Sequence, residues 1–598
     1  MNMAAVAIHN PRPSVTPDHE VIIIGAGISG IGAAIQLRAD GIKDILILER
    51  SKDVGGTWRD NRYPGIAVDI TSFTYSFSFE QNANWSRVFA PGNELYQYTR
   101  QVTSKYGIYP LIRFGVEVAS ARFDLDSHAW LIDLTDGRRL SARHIVSACG
   151  GLISPKMPDI EGLDTFQGNV IHTARWPDDL DLSDKRVAVI GTGATAVQLI
   201  PKIALQARQL DVYQRTPIWV LKKPDQTLPG WLKVLFRTVP GLQRSLRGAT
   251  DTVSETLMVL SAIYYRQAPW LVRMCEKAGI NNLREQLPNR QDLWQALTPK
   301  YGFGCKRPTF SNDYFRTFAR NNVELVTTPI KRITSRGITT QDGRSRRIDT
   351  LILATGYKTF EKGNIPSFDV IGSNNINLGD FWHDYRYQAY EGLTIPGYPN
   401  FYIMLGPYAL IGTSYFKMVE GNAIHLSRCI REANRRGASQ VEIRQSVHDA
   451  YFRNIQKRQQ NTVFLNHNCA LSNSYYFDHH GDAPMLRPST SLEMLWRAKH
   501  LPMDHYRFSV LAGHTPSRHD GGRQACEPHP RRQRRAFRQN KQITILSDCA
   551  RESVEPACTY HASRALQIQL TVRFSAAQEA LHHSITHAWS ATERCISS

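Results

Sequence analysis

Two glycine-rich loops constrain the fold of this chain more than any other feature of its sequence. The first has the sequence GAGISG, begins at Gly25, and lies between the β-branched run Val21–Ile24 and the apolar segment Ile31–Leu37. The run predicts a buried parallel strand, and the segment predicts a helix whose first amides face a phosphate. Gly25 then permits a tight turn, Gly27 lets the backbone approach a pyrophosphate, and Gly30 lets the helix pack closely on the strand.

A second apolar strand supports this interpretation of the first loop. Ile45–Leu48 ends in Glu49, which lies 24 residues after Gly25. A carboxylate at the end of that strand accepts hydrogen bonds from the ribose hydroxyls of a dinucleotide. The spacing therefore predicts a dinucleotide-binding α/β domain, and a glycine turn in an unrelated α/β unit is the alternative.

The second loop, GTGATA, begins at Gly191 and follows the apolar strand Arg186–Ile190. Its third glycine position is an alanine, which the dinucleotide pattern tolerates. A second nucleotide-binding domain is therefore predicted. The expected cofactor contacts of this domain are Gly191, Thr192, Gly193, Ala194, Thr195 and Gln198.

The strand after the second loop ends differently from the strand after the first. Val212–Gln214 leads into Arg215 and Thr216, where the first domain has Glu49. A guanidinium offers a fork of donors to a 2′-phosphate, whereas a carboxylate selects ribose hydroxyls. The two sites therefore predict FAD in the first domain and NADPH, rather than NADH, in the second. A structural arginine at a strand end is the alternative for Arg215.

Length, charge and cysteine usage exclude several other classes of protein. The 598 residues leave room for two or three domains, each with its own core. The net charge is +19, but the basic residues are spread along the chain, so we expect no nucleic-acid partner. The nine cysteines show no CxxC pair and no metal-ligand spacing, which predicts no metal site and reduced thiols in a cytoplasmic protein. No apolar stretch approaches the roughly 18 residues of a membrane span.

A motif between the two loops, FQGNVIHTARWP at Phe166–Pro177, connects these domains to a known family. The pattern Phe-x-Gly-x-x-x-His-x-x-x-Trp-Pro resembles the fingerprint of Baeyer–Villiger monooxygenases, flavoenzymes that insert an oxygen atom beside a ketone carbonyl. Relatives that oxidise amines or sulfides end this pattern in Tyr or Phe, so Trp176 favours the ketone-oxidising branch. We interpret His172 as a hinge or hydrogen-bonding residue between domains, with a direct chemical role as the alternative. The residues of the motif are Phe166, Gly168, His172, Trp176 and Pro177.

A second segment, GGTWRDNRYPGIAVD at Gly55–Asp69, resembles the flavin-contacting part of the same family. Without the resemblance, Asp69 would be interpreted as a surface or turn carboxylate. The resemblance implies that Asp69 is an active-site residue close to a catalytic arginine. It also implies that the flavin is contacted by Gly56, Thr57, Trp58, Asp69 and Tyr75.

A third segment, GFGCKRPTF at Gly302–Phe310, contains an adjacent Lys-Arg pair. Such a pair is usually a solvated surface feature. The resemblance implies instead that Lys306 contacts the NADPH 2′-phosphate and that Arg307 is the catalytic arginine, close in space to Asp69. It further implies that Gly406 and Pro407 form the last flavin-contacting turn.

The resemblance implies an α/β fold with two doubly wound Rossmann-like domains, the NADP domain inserted in the FAD domain. The expected organisation is an N-terminal tail at 1–18, the FAD domain at 19–155 and 358–510, a linker with the fingerprint at 156–182, and the NADP domain at 183–357. A helical subdomain is expected at about 226–300. The remaining segment, 511–598, is expected to be disordered or poorly packed, and a shifted reading frame near the end of the gene is one hypothesis for it.

The implied reaction is an NADPH- and O₂-dependent conversion of a lipophilic ketone to an ester or lactone through a C4a-peroxyflavin, with Arg307 stabilising negative charge. An N- or S-oxidising flavin monooxygenase, an uncoupled NADPH oxidase and a non-catalytic nucleotide-binding protein are the alternatives. The amphipathic helices near 226–286 are interpreted as the lining of a substrate tunnel. A peripheral membrane contact through which a lipophilic substrate enters is the alternative for these helices.

Overall fold

The structure of this chain, a computed structural model, describes residues 16–412 and 414–511. These residues belong to one of two compact units into which the chain divides, Met1–Ser517. The predictions for the C-terminal segment, including the disorder expected after residue 511, fall outside the described residues.

The strands, numbered in chain order, are β1 His19–Ile24, β2 Ile45–Glu49, β3 Ile112–Phe114, β4 Val118–Asp124, β5 Ala129–Leu134, β6 Arg139–Ser147, β7 Asn169–His172, β8 Arg186–Ile190, β9 Gln209–Tyr213, β10 Val220–Leu221, β11 Thr309–Phe310, β12 Val323–Val326, β13 Ile330–Thr334, β14 Gly337–Thr340, β15 Ser345–Arg347, β16 Thr350–Leu353, β17 Asp369–Ile371, β18 Phe401–Ile403, β19 Gln440–Ile443 and β20 Tyr506–Ser509. The α-helices are α1 Ile28–Ala39, α2 Thr57–Asp60, α3 Gly92–Lys105, α4 Ala194–Ile203, α5 Gly230–Thr238, α6 Leu242–Ser254, α7 Ser261–Ile263, α8 Pro269–Gln286, α9 Trp294–Leu297, α10 Tyr314–Thr317, α11 Leu378–Tyr385, α12 Tyr415–Arg436, α13 Gln445–Gln459, α14 Val463–Asn466 and α15 Ser491–His500. A π-helical segment, Glu255–Leu260, joins α6 to α7.

The first sheet contains the first glycine loop. Its strands β3, β2, β1, β6 and β18 run parallel, and β6 continues through the antiparallel strands β5 and β4. Val21 and Ile23 pack in one core with residues of helices α1 and α12, whereas Ile22 and Ile24 pack in another with residues of β5 and β18. A strand that is covered on both faces is apolar along its whole length, which is the pattern that the sequence shows there.

The second sheet contains the second glycine loop and is entirely parallel, in the order β12, β9, β8, β16, β7. All its strands come from residues 169–353, between β6 and β17 of the first sheet. The predicted fold class, two doubly wound domains with one inserted in the other, is therefore confirmed. The fingerprint contributes the edge strand β7, in which His172 pairs with Leu353 of β16.

The chain crosses between the two sheets twice, and the two crossings pair with each other. Pro155 and Tyr357 form an antiparallel bridge. The Lys156 amide donates to the Gly356 carbonyl at 2.9 Å, and the Lys358 amide donates to the Ser154 carbonyl at 2.9 Å. Two hydrogen-bonded crossings restrict relative motion of the sheets more than a single flexible linker would.

The helical insertion leaves and re-enters the second domain at two short parallel strands. Val220 of β10 pairs with Thr309 of β11, and helices α5 to α9 lie between them. Helix α8 packs against the tryptophan that precedes β10, since a Cβ atom on Gly279 would lie 2.9 Å from the Trp219 ring. Among the described residues, no helix has the length and apolar character needed to cross a membrane.

The expectation of reduced thiols was wrong for one pair of cysteines. Cys305 and Cys469 form a disulfide, with their Cα atoms 5.0 Å apart. Sequence spacing gives no sign of this bond, because its two cysteines lie 164 residues apart in separate segments. Among the described residues, Cys149, Cys275 and Cys429 are free thiols.

Candidate active site

The backbone of the first glycine loop is accessible at Gly27, whereas at Gly25 and Gly30 it packs against neighbouring carbonyl groups. Gly25 has φ of +109°, and a Cβ atom there would lie 2.7 Å from the Ala148 carbonyl oxygen. A Cβ atom on Gly30 would lie 1.9 Å from the Gly25 carbonyl oxygen. The same atom on Gly27 would meet only the Gly56 Cα, at 3.8 Å, so this is the point where a ligand can approach the loop.

The carboxylate of Glu49 holds this loop in place. It is buried, and it accepts hydrogen bonds from the Ala26 amide at 2.8 Å and the Ser51 amide at 2.9 Å. Arg59 of α2 donates to it from Nη1 at 3.3 Å. A carboxylate has about four lone-pair positions, so one remains for a ribose hydroxyl. The sequence reasoning missed Arg59, although it lies within the quoted segment Gly55–Asp69.

The segment Gly55–Asp69, which is expected to contact the flavin, lies directly against the first loop. The Gly55 amide donates to the Ala26 carbonyl at 3.1 Å, and helix α2 then begins at Thr57. The Trp58 ring packs edge-on against Tyr75 at 5.7 Å between centroids. Tyr75 in turn packs against Phe416 at the start of α12, at 5.1 Å. The structure thus brings the predicted residues of this segment together beside the loop.

The predicted last turn, Gly406–Pro407, follows β18 and packs against the segment before that strand. The Gly406 amide donates to the Gly392 carbonyl at 2.9 Å. The preceding Leu405 amide donates to Oδ1 of Asn422 in α12 at 3.1 Å. No direct contact of this turn with a cofactor is shown, so its flavin contact stays a prediction.

The predicted Arg307–Asp69 pair is present, although the two residues are 238 positions apart. Nη2 of Arg307 donates to Oδ1 of Asp69 at 2.7 Å, and Nε donates to the other carboxylate oxygen. Such a two-point contact fixes the plane of the guanidinium. The side chains are 41% and 26% exposed, so the pair faces an open cleft rather than a sealed core. Their predicted proximity is therefore confirmed.

Electrostatics keep both members of this pair ionised. The Asp69 charge raises the pKa of Arg307 well above its usual range, against the opposing effect of burial. Burial raises the pKa of Asp69, but the charge and hydrogen bonds of Arg307, with smaller contributions from a backbone hydrogen bond and from Lys223, together leave the pKa below its usual value. At neutral pH the cleft consequently presents a permanent cation whose orientation is set by a permanent anion.

Two tyrosines and a lysine lie beside the pair, and the sequence reasoning missed all three. Tyr475 and Tyr476 interact electrostatically with Arg307, and burial raises the pKa of both phenols. Lys223 lies with Nζ 5.0 Å from the centre of the Phe89 ring, and burial lowers its pKa. No motif marks these residues, because they reach the pair from distant segments of the chain.

The second glycine loop repeats the geometry of the first, and one of its predicted contacts has a protein partner. Gly191 has φ of +112°, and a Cβ atom there would lie 2.5 Å from the Ala354 carbonyl oxygen. Helix α4 begins three residues later at Ala194. Gln198 of this helix donates to the Ala67 carbonyl at 2.9 Å and so connects the second domain to the segment Gly55–Asp69. Its cofactor contact stays a prediction.

The remaining predicted contacts of the second loop lie around its mouth. Thr192 Oγ1 donates to the Thr216 carbonyl at 2.9 Å, which fixes the loop to the end of the next strand. Thr195 lies beside the Tyr63 hydroxyl and lowers its pKa, although burial raises that pKa by more. Gly193 has open space around its Cα, so a ligand can approach the backbone there.

Two cations converge near the second loop without an acidic partner. Burial, followed by the charge of Arg215, lowers the pKa of Lys306 to about 8. Nζ of Lys306 lies 5.9 Å from the centre of the Tyr301 ring. Among the described residues, neither cation forms an ion pair with a carboxylate. This arrangement favours a ligand with a compact, multiply charged anionic group such as a phosphate.

The fingerprint residues lie beside the two chain segments that cross between the sheets and form hydrogen bonds and close contacts there. A Cβ atom on Gly168 would lie 2.5 Å from the Asp349 carbonyl oxygen, so only glycine allows this approach. Nδ1 of His172 accepts from the Ala174 amide at 3.1 Å, and its Nε2 lies 3.4 Å from Thr355 Oγ1. These contacts favour the hydrogen-bonding interpretation of His172, whose role stays a prediction. Phe166 is buried, Trp176 is half-buried against the second core, and Pro177 is exposed.

Comparison with known proteins agrees with this geometry. Residues 22–241 match the family model described as pyridine nucleotide-disulphide oxidoreductase. A Baeyer–Villiger monooxygenase of Pseudomonas aeruginosa is 35% identical over 455 residues, which are 76% of this chain and 85% of that protein. A Baeyer–Villiger monooxygenase of Streptomyces coelicolor is 34% identical over 490 residues, 81% of this chain and 92% of that protein. The crystal structure of OTEMO in complex with FAD and NADP is similar with a TM-score of 0.72 at 26% identity, and the match covers 83% of this chain and 100% of that one.

These matches extend over 76% to 83% of this chain. The missing CxxC pair separates the chain from the disulfide reductases with which it shares the nucleotide-binding architecture. The similarity and the site geometry agree, and this chain belongs to the Baeyer–Villiger monooxygenases.

Proposed function

We propose that this monooxygenase binds FAD along the first glycine loop and NADPH along the second, and that it oxidises a lipophilic ketone beside the Arg307–Asp69 pair. The observation that carries the proposal is this pair, because it places an oriented cation in an open cleft between the two nucleotide-binding regions. The structures of similar proteins contain FAD and NADP, which supports the choice of cofactors.

The residues present fit the two cofactors. The first loop offers an accessible backbone at Gly27, the start of α1, and one unused acceptor position on Glu49. These features suit a pyrophosphate and its ribose. The second loop offers Arg215 and Lys306, whose mutual repulsion a 2′-phosphate would relieve. When bound, the two cofactors together supply the hydride and the oxygen-transfer chemistry of the reaction.

Arg307 has donors left over for the reacting groups. A guanidinium carries five N–H bonds, and Asp69 accepts two of them, which leaves three for other acceptors. We assign Arg307 to stabilise the negative charge that develops on the carbonyl oxygen of the ketone. A preorganised donor of this kind typically changes a rate by about 10²- to 10³-fold. Asp69 positions Arg307 and keeps its charge fixed.

Tyr475 and Tyr476 lie near this cation in the cleft; Tyr476 is buried and Tyr475 is 39% exposed. Their rings lie 5.0 Å apart, and both phenols interact electrostatically with the guanidinium. Both phenols stay neutral at physiological pH because burial raises their pKa. We assign them to shape the cleft rather than to transfer protons.

The surface of the helical insertion supports the proposal that the substrate is lipophilic and is taken up from an anionic membrane surface. Within the described segment 229–281 the exposed charged side chains are cations, namely Arg237, Arg244, Arg266, Arg273 and Lys277. The acids of this segment are half-buried, and Asp251 pairs with Lys417 at 2.9 Å; exposed acids follow at Glu285 and Asp292. Apolar side chains and cations on the same surface favour the interface of an anionic bilayer. The exposed large apolar residues are Trp231, Val234, Val239, Val253, Leu257, Tyr264, Trp270 and Met274.

The central experiment combines the purified flavoprotein with NADPH, O₂ and a panel of ketones of increasing chain length. NADPH consumption is followed together with mass analysis for a product that has gained one oxygen atom from ¹⁸O₂. Ester or lactone formation would support the proposal and rank the substrates. Oxygenation of amines or sulfides without any ester would support the N- or S-oxidising alternative. NADPH oxidation that yields hydrogen peroxide with every ketone would contradict the assigned substrate class.

The membrane contact has a separate test in vesicle sedimentation. Binding to vesicles that contain phosphatidylserine, and weaker binding to pure phosphatidylcholine, is expected for the natural chain. Trp231→Ala and Trp270→Ala should lower this binding. Trp496→Ala is the matched control, because Trp496 is equally exposed but lies outside the insertion, in α15. Equal binding by all three variants would contradict the contact.

A further inference from the structure

The disulfide lies next to the residues assigned to the reaction. Cys305 immediately precedes Lys306 and is two residues before Arg307. Its partner Cys469 begins the short 3₁₀ turn Cys469–Ser472, which leads to Tyr475 and Tyr476. The bond therefore joins the segment that carries the cations to the segment that carries the two tyrosines beside Arg307.

Both segments are packed against each other around the bond. Cys305 and Cys469 are buried in one apolar cluster with Tyr476 and Phe303. A Cβ atom on Gly302 would lie 2.2 Å from the ring of His467, so only glycine lets this ring lie against the backbone there.

Polar contacts join the same two segments. Glu276 of α8 accepts from the Phe303 amide at 3.0 Å and lies 3.3 Å from Nε2 of His467. The Asn473 amide group, four residues after Cys469, donates to Thr216 Oγ1 at 3.0 Å, beside Arg215. These contacts connect the disulfide to the cations expected to bind the 2′-phosphate, Arg215 and Lys306, and to the Arg307–Asp69 pair.

We infer that Cys305 and Cys469 are positioning residues. Their disulfide fixes the position of Arg307 and Lys306 relative to Tyr475 and Tyr476. With the bond closed, neither segment can shift without moving the other. With the bond open, the segment after Cys469 is attached only by hydrogen bonds and packing. The inference rests on the proposed function, since it concerns how that site is held in place.

The disulfide state also links this site to thiol chemistry. A small dithiol reduces the bond by two successive thiolate attacks, in which the protein S–S bond breaks, a new S–S bond forms within the reagent, and two cysteine thiols are released. The reagent loses two electrons and the protein gains them, with protons exchanged with water. Reduction is expected to loosen the site while leaving the first glycine loop, and so the flavin, in place.

The test compares the natural chain with the double variant Cys305→Ser/Cys469→Ser, each as the flavin-loaded enzyme. Peptide mapping without reductant should find Cys305 joined to Cys469 in the natural chain. The double variant should retain its flavin, but its rate of ester formation should fall by about ten- to a hundredfold, because small displacements of a catalytic group are costly. The yield of ester per NADPH consumed should fall, the KM for NADPH should rise, and protease cleavage near the exposed Leu471 should become faster. A purely structural bond would change thermal stability without changing the ester yield per NADPH.

Cys275→Ser is the matched control, because Cys275 is a free cysteine that packs against the same cluster. It should behave as the natural chain does. Where the double variant does not fold, treatment of the natural enzyme with a dithiol, followed by reoxidation, gives the second measurement: ester yield should fall and then recover. Natural enzyme that forms ester with both cysteines as free thiols, or a double variant with unchanged ester yield, would overturn the inference. Natural enzyme that forms no ester from any ketone would instead count against the proposed function.

Discussion

The two glycine loops have almost the same backbone geometry but opposite electrostatics. Gly25 and Gly191 have φ of +109° and +112°, and each lies against the carbonyl of an alanine at the end of a neighbouring strand. The strands that follow end in Glu49 and Arg215. Glu49 is buried and already has protein donors, whereas Arg215 is exposed and lies near a second cation.

This difference separates what the loops share from what distinguishes their ligands. The common geometry of a glycine turn and a helix start suits a pyrophosphate in either domain. The charge at the end of the following strand selects the rest of the ligand. In the first domain, protein donors already bind most of the acceptor positions of Glu49. In the second domain, Arg215 has no acidic partner among the described residues and is available to the ligand. The pair Arg307–Asp69 joins the two domains at the point between them.

The largest expected effect is at this junction. Arg307→Ala removes the side chain that donates to Asp69 at two points, and ester formation should fall by about 10²- to 10³-fold, as for other preorganised donors of charge. Flavin content should be unchanged because the first loop is untouched. The measurement is ester yield and NADPH consumption with the best ketone of the panel.

Arg316→Ala is a matched control for this prediction, because Arg316 lies in α10 with no ion pair among the described residues. It should retain normal ester formation. An Arg307→Ala enzyme that oxygenates ketones at the natural rate would refute the assignment of Arg307 and leave the family membership intact.

The second prediction reverses the contrast between the loops. Arg215→Ala removes one of the two cations that face the expected 2′-phosphate, and KM for NADPH should rise by about ten- to a hundredfold, as expected for a lost charge-assisted hydrogen bond. KM for NADH should hardly change, since NADH has no 2′-phosphate. Steady-state kinetics with both nucleotides measures the ratio. Equal losses for NADPH and NADH would mean that Arg215 is a structural residue.

The third prediction concerns the charge that the first domain satisfies internally. Glu49→Gln leaves the buried guanidinium of Arg59 without one of its anionic partners, and the free energy of unfolding should fall by about 1–3 kcal/mol. Flavin should also dissociate more readily, because the amide of glutamine replaces one of the two oxygens that accept from the Ala26 and Ser51 amides with a donor. Thermal unfolding and flavin release report the two effects.

Asp60→Asn is the control for Glu49→Gln. Asp60 also pairs with Arg59, but its side chain is 45% exposed, so its loss should matter less. Equal destabilisation by the two variants would show that burial of Glu49 contributes nothing.

The sequence predicted the elements that depend on local pattern. Val21–Ile24 and Ile45–Leu48 lie within β1 and β2, and Arg186–Ile190 coincides with β8. These strands are readable because a strand covered on both faces must be apolar throughout. The proximity of Arg307 and Asp69 was also predicted, but only by resemblance, since no local rule relates residues so far apart.

The sequence could not predict contacts that depend on how distant segments meet. The Cys305–Cys469 bond, the position of Tyr475 and Tyr476, and the pairing of Arg59 with Glu49 each depend on tertiary packing. The cysteine pattern even favoured reduced thiols, because a bond between two isolated cysteines has no spacing signature. The domain boundaries and the individual cofactor contacts stay predictions.

The smallest predicted effect is a pH dependence that only the second domain should show. Lys306 has a pKa of about 8, lowered by burial and by Arg215, so it loses its proton as the pH rises through that value. A 2′-phosphate binds the protonated form and raises its pKa, so binding takes up a proton above pH 8. Affinity for NADP⁺ should therefore be constant below about pH 7 and fall about tenfold between pH 7 and pH 9 as the charge of the lysine is lost. Lys306→Arg should remove this dependence, because an arginine stays protonated throughout. NAD⁺ binding should show none of it in either protein. Titration calorimetry at several pH values measures both ligands, and a pH dependence that persists in Lys306→Arg would place the titrating group elsewhere in the cleft.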